Sequence, residues 1–173
     1  GGEGAGRSGD RVGRRYVTYY HAQLEPEERE RRQKKWSQGS IKVIVATIAF
    51  GMGINKPDVR YVIHYSLPKS LTGYYQEAGR AGRDGEPADC ILYYSYSDKT
   101  THEFMIKKDE RDRKIIKMHM DTLHRVIDYC ENQVECRRVL LLEYFGEAGF
   151  SPRQCNRTCD NCIACNDEST TED

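Results

Sequence analysis

Three runs of β-branched and aromatic residues constrain the fold most: Ile41–Thr47 (IKVIVAT), Val59–Tyr65 (VRYVIHY) and Cys90–Tyr96 (CILYYSY). Apolar runs that are continuous rather than alternating mark strands buried on both faces of a parallel sheet. A shorter candidate strand, Tyr16–His21, precedes them. Helix-length segments lie between the runs. One covers Glu25–Gln38, opened by Pro26 and dense in charge, with Leu24 and Trp36 as its apolar anchors; another covers roughly Leu71–Ala81. Parallel strands need such crossovers, so the alternation specifies an α/β layer fold with right-handed connections.

After Ser97 the pattern changes. Ile116, Met120, Leu123, Ile127 and Cys130 recur at four- and three-residue steps, one stripe of an amphipathic helix. A second helix is expected over Glu135–Phe145, and cysteines then take over. The organisation expected is therefore a sheet-based domain over residues 16–100 and a helical hairpin with a metal knot over 101–165. Residues 1–15, rich in glycine and arginine, lack the apolar surface to offset their ordering entropy and read as disordered. Residues 166–173 form a polar, acidic tail.

Lysine plus arginine equals aspartate plus glutamate at 27 each. Net charge therefore gives no argument for a nucleic-acid partner, and the question passes to local patches. No apolar run approaches the ~20 residues of a membrane span, and no signal segment opens the chain. Seven cysteines, an odd and unevenly spread set, argue against a disulfide framework and for metal or redox chemistry in a reducing compartment.

Cys155-x3-Cys159-x2-Cys162, with Cys136 upstream at a helix start, has zinc-ligand spacing. The stretch around it is nearly without apolar residues, so something other than a core must order it. Arg137, Arg138, Arg153 and Arg157 are placed to favour deprotonated thiols. Free surface thiols are the plainer alternative. Cys165, at CxxC distance from Cys162, could replace Cys136 as the fourth ligand, while Cys90 and Cys130 read as packing residues.

In Tyr74–Gly85 (YYQEAGRAGRDG), a continuous helix would project Gln76, Arg80 and Arg83 from one face. Two glycines inside a helix cost about 1 kcal/mol each. A sequence that accepts them beside two arginines suits an anion at a closely approached backbone, with guanidinium forks on phosphate oxygens. A solvated basic helix end would have the same spacing.

These residues resemble a known family. Val45–Arg60 (VATIAFGMGINKPDVR) is similar to helicase motif V as RecQ enzymes write it, and Gln76–Gly85 to their motif VI. Tyr20–Leu24 (YHAQL) resembles the YHAGL segment of the second motor lobe, and Cys136 through Cys162, with Tyr144–Glu147 (YFGE), resembles the RecQ zinc module. The resemblance implies a partial RecA-like lobe followed by a helical hairpin with a four-cysteine zinc knot. The activity it implies is 3′-to-5′, ATP-dependent DNA unwinding in recombination, repair and replication, nuclear in eukaryotes, on single-stranded, junction or forked DNA and with repair-complex proteins as possible partners.

By the same resemblance Arg83 is the arginine finger, with Arg80 and Gln76 linking nucleotide to the lobe interface and Asn55 at the nucleotide site. Thr47, Ser66, Lys69 and Ser70 would touch the DNA backbone. Cys136, Cys155, Cys159 and Cys162 would hold a structural Zn2+, and ATP with Mg2+ belongs to the complete enzyme. Asn55 stands where many relatives have Asp, and Gln23 where they have Gly. Residues 1–15 do not resemble the lobe's usual opening, and no GxxxxGK[ST] loop or DExH motif occurs in the 173 residues. Without that first lobe the chain by itself is expected not to turn over ATP. A non-catalytic nucleic-acid-binding or regulatory module is the alternative. A chromatin-remodelling or RNA-helicase motor fits the zinc knot and motif V less well.

Overall fold

The computed structural model describes residues 16–51 and 56–167. The chain divides into two compact units, Gly1–Lys56 and Pro57–Asp173.

In the first unit, β1 (Val17–Tyr20) pairs in parallel with β2 (Val43–Ala46), Val17 opposite Val43 and Tyr20 opposite Ala46. Helix α1 (Pro26–Ser37) makes the crossover, with proline in its first turn where no intrahelical N–H partner is lost. Trp36 and Tyr20 are buried, and the Phe50 ring meets both edge-on, at 5.3 and 4.8 Å between centroids.

The second unit repeats the plan. β3 (Tyr61–His64) pairs in parallel with β4 (Asp89–Leu92), and α2 (Leu71–Ala78) crosses between them, its Ser70 cap accepting the Gly73 N–H at 3.0 Å. Four helices follow: α3 (Tyr96–Asp109), α4 (Arg113–Glu131), α5 (Arg137–Tyr144) and α6 (Asp160–Asp167). None of the described helices is long and apolar enough to cross a membrane.

The core of this unit is built from two regions distant in sequence. Leu67 and Leu71, at the entry to α2, cluster with Leu123, Val126 and Ile127 of α4, and Tyr129, Cys130, Leu141 and Tyr144 pack around them. Leu123 is 3% exposed. Leu123→Ala is expected to cost about 2–5 kcal/mol, read as a lowered urea midpoint with unchanged slope.

Four sequence expectations need correction. The strands pair as parallel strands but are not buried on both faces. Val43, Val45, Tyr61 and Ile63 are 49%, 61%, 63% and 55% exposed, and each sheet has only two strands. Cys90 is exposed on β4 rather than in a core, its thiol donating to the Ala78 carbonyl at 3.5 Å. The third run ends as a strand at Leu92, and Tyr96 opens α3, where Ser95 donates its N–H to Asp98 at 2.8 Å. Finally, α2 stops at Ala78 rather than Ala81, so Arg80 and Arg83 stand on turns beyond it.

Candidate functional site

Helix α2 ends at Ala78, just before the first of two closely spaced glycines. Gly79 is the C-cap of α2, and a Cβ there would lie 3.0 Å from the Tyr75 carbonyl oxygen. Gly82 has φ +61°, and a Cβ would come within 2.8 Å of the Glu86 carbonyl oxygen. Gly82 therefore demands glycine for both space and conformation, while Gly79 is a tight position that a side chain would crowd. The glycines thus shape a loop, not a strained helix, and the loop presents the arginines. Gln76 is exposed on α2, Arg80 is half-buried, and Arg83 is exposed with Nε donating to the Gly79 carbonyl at 3.2 Å.

Upstream, His64 at the end of β3 is bound to Glu77 of α2, Nε2 to Oε2, at 2.7 Å. The segment that follows has a buried underside and an exposed top. Leu67 and Pro68 are buried, while Ser66 and Lys69 face outward. Ser70 is engaged as the α2 cap, which leaves its hydroxyl hydrogen available to donate. Thr47, exposed after β2, belongs to the first unit, its N–H donating to the Tyr20 carbonyl at 3.1 Å. Asn55 lies outside the described residues.

The cysteines converge. The sulfurs of Cys136, Cys155, Cys159 and Cys162 all lie within 4.8 Å of one another, and Cys136 and Cys159 are 3.9 Å apart. A tetrahedral ion with ~2.3 Å bonds to sulfur needs its ligands about 3.8 Å apart, so the donor set fits zinc. Cys165 is outside the cluster, exposed, with its sulfur directed at the Val134 carbonyl 3.9 Å away.

The loop holding three of these thiols has an unusual backbone. Asn156 and Arg157 are consecutive left-handed residues, φ 51° and 57°, which turn the chain inside the Cys155–Cys159 spacer. Thr158 then closes it, its hydroxyl donating to the Cys155 carbonyl at 2.6 Å. Cys162 N–H points at the Cys159 sulfur from 3.4 Å. Burial pushes the Cys155 thiol up, but hydrogen bonds from Thr158 and the neighbouring thiols outweigh it and bring it down to about 6. Burial raises Cys136 and Cys162. Four thiols this close resist joint ionisation, a conflict that a divalent cation resolves.

Two contacts tie this loop to the end of α4 and the start of α5, and residue spacing announces neither. Asn161, 4% exposed, donates to the carbonyls of Asn132 and Glu135 at 3.1 and 2.7 Å. Asn161→Ala is expected to strand both carbonyls and cost about 1–3 kcal/mol, visible as a lowered urea midpoint. Arg137 grips Asp160 with Nε and Nη2, at 3.0 Å each, and donates from Nη1 to the Tyr129 carbonyl. Its guanidinium is therefore engaged by Asp160 and the Tyr129 carbonyl. The only sequence signal for either contact is the pair Asp160–Asn161, two turn-forming residues inside the last cysteine spacer.

Two family models match the chain. One, the helicase conserved C-terminal domain, covers residues 10–85; the other, RecQ zinc-binding, covers residues 96–163. Among curated proteins, the ATP-dependent DNA helicase hus2/rqh1 of Schizosaccharomyces pombe is 54% identical over 144 residues. The ATP-dependent helicase SGS1 of Saccharomyces cerevisiae is 52% identical over 145 residues, and the RecQ-like DNA helicase BLM of Xenopus laevis 53% over 150. Each alignment covers 83% of this chain but only 11%, 10% and 11% of the respective relative. The chain spans about a tenth of the length of these relatives.

Proposed function

Because the chain belongs to the RecQ family, we propose that the protein containing it is an ATP-dependent DNA helicase that unwinds with 3′-to-5′ polarity. The carrying observation is that a glycine-shaped arginine loop and a four-thiol cluster occur in one compact unit, in the order the family resemblance requires. Arg83 is the arginine finger, reaching charge that develops on the transferring phosphoryl group of ATP, whose bound Mg2+ comes with the nucleotide. Arg80 and Gln76 link the nucleotide to the lobe interface, and the family resemblance assigns Asn55 to nucleotide binding as well.

Ser66, Lys69 and Ser70 contact the DNA sugar-phosphate backbone, and so does Thr47. Such contacts give affinity without reading sequence, as a motor that travels through any DNA requires. Single-stranded tails and forked or junction duplexes are the substrates, in nuclear recombination, repair and replication, where repair-complex proteins are partners. Cys136, Cys155, Cys159 and Cys162 hold one structural zinc, which supplies order and no chemistry to the reaction.

The test is strand separation by the full-length protein on forked duplexes with a single 3′ or 5′ tail. Unwinding of the 3′-tailed fork, dependent on hydrolysable ATP, is the expected result. DNA binding without DNA-stimulated hydrolysis would replace this reading with that of a non-catalytic binding module.

A further inference from the structure

The loop that carries Arg83 is held by a residue to which the proposed chemistry assigns no part. Arg60, immediately before β3, directs both terminal nitrogens of its guanidinium into that loop. Nη2 lies 2.5 and 2.7 Å from the two carboxylate oxygens of Asp84, and Nη1 donates to the Pro87 carbonyl at 3.0 Å. Asp84 also accepts the Glu86 N–H at 3.2 Å. On the backbone, Gly82 donates to the Val59 carbonyl at 3.0 Å. Residues 82, 84 and 87 are thus each fastened to residues 59–60, and Arg83 sits between two fastened neighbours.

This arrangement does little for stability. The Arg60 and Asp84 side chains are 34% and 28% exposed, and ion pairs that water reaches contribute about 0–1 kcal/mol. Two nitrogens of one planar group on two separate acceptors, Nη2 on the Asp84 carboxylate and Nη1 on the Pro87 carbonyl, do fix direction and distance, however, which a single charge cannot. The Arg60 guanidinium also holds the Asp84 carboxyl below its ordinary range.

We propose that Arg60 is a positioning residue for ATP hydrolysis: through Asp84 and Pro87 it sets the loop from which Arg83 acts. The inference rests on the reading of Arg83 as arginine finger. Arg60 itself touches neither nucleotide nor DNA in this role. Its removal therefore misplaces a catalytic group rather than deleting one, and misplacement by about 1 Å costs on the order of a hundredfold in rate.

The experiment measures DNA-stimulated ATP turnover in the full-length protein and its variants Arg83→Ala, Arg60→Gln, Asp84→Asn and the double Arg60→Gln/Asp84→Asn. Arg60→Gln and Asp84→Asn should each lower kcat by roughly ten- to a hundredfold, with KM for ATP and DNA affinity within about twofold of wild type. The double variant should be no worse than the singles, since the two residues act as one unit. Asp84→Asn is isosteric, so it keeps the test available if Arg60→Gln folds poorly. Near-normal kcat in Asp84→Asn, losses that multiply in the double variant, or a defect in KM or DNA affinity instead of kcat would each overturn the proposal. An inactive wild type would instead remove the helicase reading, and full turnover by Arg83→Ala would remove the finger on which the inference depends. Loss in Arg83→Ala with Asp84→Asn unaffected would remove the positioning role alone.

Discussion

Serine in place of Cys155 or Cys159 is expected to abolish stoichiometric zinc and leave the region beyond Glu135 open to protease. Three of the four converging thiols lie within eight residues, Cys155 to Cys162, on a loop with almost no apolar side chains of its own. Structural zinc in small peptides contributes an apparent 10–16 kcal/mol, roughly. Asn161 and Arg137 anchor the loop at its end, but two such contacts together supply only a few kcal/mol, on the order of 1–3 each. The pair β3–β4, held by its own ladder and by α2, should survive the same substitutions. Cys136→Ser should also lose the metal, since its sulfur is 3.9 Å from that of Cys159. Cys165→Ser should keep it, as should Cys90→Ser and Cys130→Ser. Zinc is measured by atomic absorption on equal amounts of folded protein. Metal retained by Cys136→Ser and lost by Cys165→Ser would show that the knot closes without the hairpin.

Arg83→Ala in the full-length protein should lower DNA-stimulated turnover by about 10³ to 10⁵ and leave ATP affinity nearly unchanged. The reason is where the charge develops. A guanidinium that meets the phosphoryl oxygens chiefly in the transition state affects kcat, whereas one that holds ground-state ATP affects KM equally. Arg83→Lys should not restore the rate, because an ammonium cannot present two parallel N–H groups. Steady-state kinetics with varied ATP separates the two outcomes, and weaker ATP affinity with normal turnover would falsify the finger role.

The elements read most directly from sequence are those whose signal is local. The runs at residues 41–47 and 59–65 pair as parallel strands, and the stripe from Ile116 to Cys130 forms α4, with Leu123, Ile127 and Cys130 at or against the core. The cysteine spacing likewise led to the cluster, although only the fold distinguishes Cys136 from Cys165. Signals that depend on context were lost. Helix α3 gives no periodic signal, because its apolar residues Phe104, Met105 and Ile106 are adjacent rather than spaced along one face. Helix propensity carries α2 on to Ala81, but Gly79 is a crowded cap and Gly82 a left-handed turn, so the helix ends at Ala78. Arg60–Asp84 and Arg137–Asp160 join residues 24 and 23 positions apart, and no periodicity announces such pairs.

The core shared by Leu67, Leu71 and α4 has a mechanical consequence. Ser66 and Lys69 stand on a ledge whose underside, through Leu67 and Leu71, is wedged among Leu123, Val126 and Ile127. Close-packed interiors have low compressibility and transmit strain rather than absorb it. A force applied at Lys69 is therefore carried into the long helix of the hairpin with no soft joint between, and α4 serves as the strut behind that ledge. Stiffness at this point depends on side chains far from any reacting atom.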